Sequence, residues 1–322
     1  LGIPYDDKFQ FEASSNVFKG ILPNSFDSWT GDMGLIALQI LNELARTNGA
    51  GLQDVQRPPK VQQLINAWLF SLPSPSEMDH PLLWPENGQE VLQFSSTSKI
   101  YRLLDDLEED ANWLIENVFD KDRARFPETA TWNGEQIPCF SVEGFKWALA
   151  LAKSRAFFLD GNLRLVPLLD MCNHADDAEE IRSSSMGAFG ATKGAQLIAA
   201  TNYKVGDEVV CSYGPKSAAD YLLEHGFCPP ECWKTAVSEL SFEIDSEDRF
   251  YDDKLDILEY ETYDQAPIDP VQSFDIVSAP GRDGKPDPAM IQFLRLCKLS
   301  ATDAFLLESV FRKEVWDFMA DP

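Results

Sequence analysis

The sequence predicts an α+β protein: small, mostly antiparallel sheets, interrupted by a block of helices and followed by an all-helical C-terminal domain. Three observations predict it. The runs NLRLVPLLD, AQLIAATN and DEVVCSY lie between Asn162 and Tyr213 with no long helical crossover between them, which disfavours a doubly wound parallel sheet. Apolar residues at helical spacing dominate the stretches before and after this region. No Gly-x-Gly-x-x-Gly follows a strand and no GxxxxGK occurs, so nucleotide folds built on those loops are poorly supported.

In chain order, residues 1 to 30 mix aromatics with turn formers and predict irregular structure with a short strand. DMGLIALQILNELARTNGAG then predicts a core helix: Leu35, Leu38, Leu41 and Leu44 share a face, Asp32 caps the start and Gly49 ends it. QRPPKVQQLINAWLF predicts a short helix through Trp68. The Pro-rich passage after it reads as a packed surface excursion, with His80 as a surface histidine. A long helix is expected from about Ser98 to Phe119, and another after a Ser141 cap, presenting Arg155 near its end. KVGDE is the turn before the last strand, and Ser217 with Asp220 starts a short helix that Gly226 ends. Beyond Pro230 the acidic window from Glu243 to Asp264 is anchored by Leu255, Ile257 and Leu258. A Pro-rich passage separates it from a final helix whose buried face carries Ala304, Leu307, Phe311, Val315 and Phe318.

At 322 residues the chain suits two domains, and no apolar run reaches membrane-spanning length. Asp and Glu total 53 against 27 Lys and Arg, a formal charge of -26. That balance disfavours direct nucleic-acid binding; it suits a basic protein partner, or simple solubility. The visible N-terminus has neither the pattern of a secretory signal nor that of an intact transit peptide. The placement of the six cysteines suits buried reduced thiols, and no metal site is expected, since Cys228 and Cys232 lack a completing pair.

Arg155, Asp170, Asn173, His174 and Tyr213 fall near the ends of predicted strands or a helix. On residue types alone, the Asn-His pair fits a satisfied internal polar cluster as well as a binding site. Neither a serine elbow nor a Cys-His spacing specifies covalent hydrolysis.

SRAF (154–157), VPLLDMCNH (166–174), GDEVVCSYGPKSAADYLLEHGF (206–227) and TDAFLLESVFRKEVW (302–316), in this order, carry a resemblance. The chain resembles the SET-domain protein-lysine methyltransferases of the plant plastid type, the group typified by the Rubisco large-subunit lysine methyltransferase. The resemblance implies a SET domain over 1–230 with a helical insertion at about 50–150, then a helical substrate-binding domain over 231–322. It implies S-adenosyl-L-methionine as cofactor, met by Arg155, Asn173, His174, Tyr213 and Phe227. Tyr213 is the implied catalytic residue at the methyl-transfer channel, and Asp170 and His225 the implied substrate-side residues. The family usually carries tyrosine where this chain has His225. Its glycine-containing cofactor loop has no counterpart in residues 1 to 30, and is expected upstream or lost. The implied partner is a lysine-bearing plastid protein, in the chloroplast stroma or nucleoid. The alternative is a SET-fold scaffold subunit of the plastid-encoded RNA polymerase, with little or no methyl transfer.

Overall fold

The computed structural model describes residues 2–4, 10–13, 18, 21–22, 30–52, 57–92, 99–186, 192–214, 216–230, 237–261, 270–277 and 288–307. The chain divides into two compact units, Leu1–Gly214 with Ala219–Cys228, and Pro215–Ala218 with Pro229–Pro322. Among the described residues no helix is long and apolar enough to cross a membrane.

The first unit opens with β1 (Gly2–Pro4) and β2 (Phe11–Glu12), then α1 (Gly31–Thr47). Ile36, Leu38, Ile40, Leu41 and Leu44 of α1 are wholly buried, each contributing about 1.5 to 3 kcal/mol by leaving water. Because α1 is buried almost all round, its polar residues need partners. Asn42 Oδ1 accepts the Leu52 N–H at 2.6 Å, and buried Glu43 pairs with Arg57 at 2.6 Å. The cap differs from the sequence expectation. No Asp32 side chain closes the helix; Thr30 sits at the N-cap and gives its N–H and Oγ1 to the Asp110 carboxylate at 2.9 and 2.6 Å. The helix begins one residue before Asp32, which leaves that carboxylate within the first turn.

The inserted block comprises α2 (Pro59–Leu69), α3 (Glu86–Gln89), α4 (Lys99–Leu114) running into a π turn over Ile115–Phe119, and the hairpin β3 (Thr129–Trp132) and β4 (Glu135–Pro138). Asn133 and Gly134, both at positive φ, make its two-residue turn. His80 corrects the expectation of a surface histidine: it is wholly buried. Its Nδ1 accepts the Leu82 N–H, and its Nε2 faces the Glu224 carbonyl at 3.3 Å. That pattern places the ring proton on Nε2, and burial lowers the pKa to about 4. A flanking Asp-His-Pro run looks solvated in one dimension, but this segment packs against a helix end far along the chain.

α5 (Val142–Arg155) starts where the sequence predicts, with Ser141 Oγ accepting the Gly144 N–H at 3.1 Å. It is buried from Phe145 through Ala152 except at Lys146, and packs beside α1. At Gly144 a Cβ would lie 1.7 Å from the Cys139 carbonyl oxygen, so only glycine lets the backbones approach. After α5 come β5 (Phe157–Leu159) and β6 (Asn162–Leu165), turned by Asp160-Gly161, then β7 (Asn173–His174), β8 (Arg182–Met186), β9 (Thr192–Gln196), β10 (Val210–Cys211) and α6 (Ala218–His225). The sheets run β1-β9-β8 and β2-β6-β5, all antiparallel, while β7 and β10 pair in parallel.

The second unit holds β11 (Val237–Glu243), α7 (Tyr251–Glu261), β12 (Val271–Val277) and α8 (Pro288–Lys298), with a 3-10 turn at Ala301–Leu307. β11 and β12 pair antiparallel over seven residues each, where the sequence reading expected helices alone. Only Leu240 with Phe242 and Phe274 with Ile276 stand two apart around a polar residue, a period-two stretch too short to stand out in the acidic surroundings. Ile244, Ile257, Leu258, Phe293, Leu296 and Leu307 form its core. The wholly buried Lys254 gives its Nζ to Asp248 and to the Cys297 carbonyl. The expected helix beyond residue 307 lies outside the described residues.

Candidate functional site

The parallel pairing of β7 with β10 sets Val210 opposite Asn173 and Cys211 opposite His174. One strand end therefore meets the other, and Tyr213, two residues past Cys211, reaches across. Its backbone N–H donates to His174 Nδ1 at 3.2 Å, and its hydroxyl donates to the Cys172 carbonyl at 2.8 Å. With Nδ1 accepting, the His174 proton sits on Nε2, which faces Asp176 Oδ1 at 2.9 Å and the Tyr221 hydroxyl oxygen at 3.2 Å. The Tyr221 hydroxyl in turn donates to the Gly214 carbonyl at 2.7 Å.

α6 supplies the rest of the wall. Tyr221 and His225 stand one turn apart, and Phe227 follows Gly226 at the helix end. The His225 ring lies 4.5 Å from that of Tyr213, centroid to centroid, and Phe227 meets Tyr213 edge-on at 6.3 Å. His225 Nδ1 points at the Ser154 carbonyl at 3.3 Å, so Nδ1 is the donor. Burial pushes the Tyr213 hydroxyl up to about 12, so it keeps its proton near neutral pH.

Arg155 and Asp170 form the floor. The chain reaches Asp170 through Leu168, at φ 79 and ψ -44, a non-glycine conformation costing about 1 to 3 kcal/mol. The strain turns the backbone into the 3-10 turn Leu169–Met171 and buries the Asp170 carboxylate completely. Trp68 Nε1 donates to Oδ2 at 2.8 Å; Arg155 Nη1 donates to the Asp170 backbone oxygen at 3.0 Å and stands 3.6 Å from Oδ2. Two buried atoms in this cluster, Arg155 Nε and Asp170 Oδ1, have no hydrogen-bond partner. On its outer side Arg155 borders a cleft of about 670 Å³ with Phe70, Trp132, Glu77 and Glu135.

Burial raises the Asp170 pKa to about 6, against the lowering effect of Arg155. A carboxyl raised in the folded state contributes stability that is full below its unfolded value of 3.8 and is lost as pH rises through 6. His80 has the opposite sign: its contribution is full above 6.5 and is lost as pH falls through 4. Asp170→Asn removes only the first effect. Its stability relative to the parent is expected to rise by about 3 kcal/mol between roughly pH 4 and pH 7 in urea titrations. A pH-independent difference would contradict the assignment.

The structure thus brings together all seven residues singled out in the sequence: Arg155, Asp170, Asn173, His174, Tyr213, His225 and Phe227. Asn173 is the outlying one, with an exposed side chain whose Nδ2 donates to Glu208 Oε1. Two participants escaped the sequence reading. Tyr221 was legible from its one-turn spacing to His225; Trp68, 102 residues from its partner, left no signal.

Small antiparallel sheets around a parallel strand pair, with the helical block inserted before them, are the SET fold. Superposition agrees: the crystal structure of the SET domain of LSMT bound to lysine and AdoHcy matches with a TM-score of 0.67 at 24% identity, covering 99% of this chain and 66% of that one. The structure of Rubisco LSMT bound to AdoMet matches at 0.63 and 23%, covering 98% and 64%. Residues 245–322 match the family model described as Rubisco LSMT substrate-binding. Among curated proteins, the chloroplastic ribulose-1,5-bisphosphate carboxylase/oxygenase large subunit N-methyltransferase of Nicotiana tabacum is 32% identical over 258 residues, 77% of this chain and 48% of that protein. The chloroplastic fructose-bisphosphate aldolase lysine N-methyltransferase of Arabidopsis thaliana is 36% identical over 192 residues, 56% of this chain and 37% of that protein. The chain is a SET-domain protein related to these plant lysine methyltransferases, and it spans about half the length of the first of them.

Proposed function

We propose that this chain is an S-adenosyl-L-methionine-dependent protein-lysine N-methyltransferase acting on a chloroplast protein. One observation carries the reading: a buried Arg155 Nε–H without an acceptor lies in the same cluster as Tyr213, whose own face is walled by aromatic rings. An unmet guanidinium donor fits a carboxylate, and flat rings fit an adenine or a sulfonium, so the residues suit this cofactor. When bound, S-adenosyl-L-methionine supplies an electrophilic methyl group.

The chain's own groups do the rest. Arg155, anchored by Asp170, would hold the carboxylate end of that cofactor. Tyr213, protonated near neutral pH, offers its hydroxyl oxygen to orient an incoming amine, while its O–H stays on the Cys172 carbonyl. His225 and Phe227 narrow the approach and exclude water, which favours the neutral, nucleophilic form of a lysine. Water accepts the departing proton, so no dedicated carboxylate base is required. Glu77 and Glu135 on the cleft beside Arg155 suit a basic substrate segment.

A second reading has one observation in its favour: the Tyr213 hydroxyl is already committed to a backbone carbonyl. In that reading the chain binds the cofactor as a scaffold subunit of the plastid RNA polymerase assembly, its charge of -26 docking on basic proteins. Tritiated S-adenosyl-L-methionine incubated with the chain and a chloroplast protein extract decides between them. Label on a lysine supports the enzyme. Calorimetric binding without label supports the scaffold, and absence of both overturns the cofactor assignment.

A further inference from the structure

Two sulfurs lie in the middle of this site, and neither the reading above nor the implied chemistry uses them. The β7–β10 pairing sets Cys211 opposite His174, and Cys172 precedes His174 by two residues, so both cysteines project from one face in a diagonal pair. Cys211 Sγ donates to the Cys172 carbonyl oxygen at 3.8 Å, and Cys172 packs against the apolar cluster of Leu159, Val166 and Leu169 to which Cys211 belongs. The same carbonyl takes the Tyr213 hydroxyl. Cys172 is half-buried while Cys211 is fully enclosed, so an oxidant reaches the first and not the second.

We propose that Cys172 and Cys211 form a redox-active dithiol, a modification site in which Cys172 is the reacting sulfur and Cys211 resolves it to an intramolecular disulfide. The oxidant is a peroxide. The Cys172 thiolate attacks one peroxide oxygen, the O–O bond breaks, and hydroxide leaves, giving a sulfenic acid. The Cys211 sulfur then attacks the Cys172 sulfur; its proton and the hydroxyl group leave as water as the S–S bond forms. Two thiols lose two electrons and one peroxide bond gains them.

The local chemistry favours this order of events. The neighbouring Cys211 thiol holds that of Cys172 below the ordinary range, while Cys172 and burial push Cys211 above it, which separates attacker from resolver. Burial pushes Cys139 up to about 12 and raises Cys297 as well, so those thiols are poor nucleophiles. A diagonal pair bridges under strain, and strained disulfides are the readily reduced ones, so the modification is reversible.

The test uses the whole chain carrying Cys228→Ser, which removes an exposed competing thiol. After one equivalent of hydrogen peroxide, alkylation under denaturing conditions and digestion, mass spectrometry is expected to find the Cys172 and Cys211 peptides linked, and free again after dithiothreitol. The rate of peroxide consumption is expected to follow a pH midpoint below the roughly 8.5 of an ordinary thiol. In Cys211→Ser, dimedone is expected to trap a Cys172 sulfenic acid with no intramolecular link; in Cys172→Ser, Cys211 is expected to stay reduced. The proposal is overturned if both thiols are alkylated in the peroxide-treated parent, or if Cys211 oxidises equally fast without Cys172. None of these readouts requires methyl transfer, so they stand whichever function the site proves to have.

Discussion

Gly226→Ala is expected to destabilise the first unit by about 2 to 5 kcal/mol and to disorder the aromatic wall of the site. Two costs add. At φ 79 an alanine pays about 1 to 2 kcal/mol for a left-handed conformation. Its Cβ would also lie 2.3 Å from the Asp79 carbonyl oxygen and 3.3 Å from the carbonyl carbon. Those are backbone atoms, so relief requires moving the chain, and overpacking of this kind costs about 1 to 3 kcal/mol. The chain that must move carries the buried His80, which holds the Glu224 carbonyl of α6, so the shift reaches His225 and Phe227 directly. Gly206→Ala separates the two costs: its φ is 100, but nothing lies within 4 Å of the added carbon. Urea unfolding should show Gly206→Ala losing about 1 to 2 kcal/mol, the backbone cost alone, and Gly226→Ala about 1 to 3 kcal/mol more. Equal losses would show that the contact with Asp79 carries no weight.

The second large effect is on turnover. Tyr213→Phe is expected to reduce methyl transfer about 100-fold or more, with cofactor affinity changed less than about threefold. The ring remains, with its contacts to His174, His225 and Phe227, and only the hydroxyl goes. Removing it leaves the Cys172 carbonyl without the Tyr213 donor and, in the proposed reaction, the amine without its orienting oxygen, a loss felt in the transition state more than in cofactor binding. Initial rates with labelled cofactor, set beside calorimetric binding, distinguish the two terms. A rate near that of the parent would remove Tyr213 from the chemistry.

Much of this site was legible along the chain because its residues cluster in two short runs. DMCNH and VVCSYG are strand ends, and strand ends that meet place their side chains together; the α6 residues follow within a dozen positions. What the runs could not reveal was support from afar. Asp170 is held by Trp68, and His80 is enclosed by a helix end 144 residues away, so a residue that reads as surface from its neighbours is core in the fold. The start of α1 also depends on distant support: its N-cap is Thr30, tied to Asp110, 80 residues away, and not Asp32. The β11–β12 pair is a different miss. Its apolar spacing of two spans only Leu240 to Phe242 and Phe274 to Ile276, too short a pattern to mark a strand in a composition heavy in acids and prolines.

By itself the sequence determined the α+β class, the presence of the helices around the core, the two short runs that carry most of the candidate site and the family likeness, because each depends on periodicity or on motifs a few residues long. Only the tertiary structure decided which of those residues are paired and which keep an unmet hydrogen-bond donor or acceptor, that Asp170 is buried with a raised pKa, and that two thiols share a face. Those properties depend on burial and on distances between segments tens to a hundred residues apart, and a one-dimensional pattern carries neither.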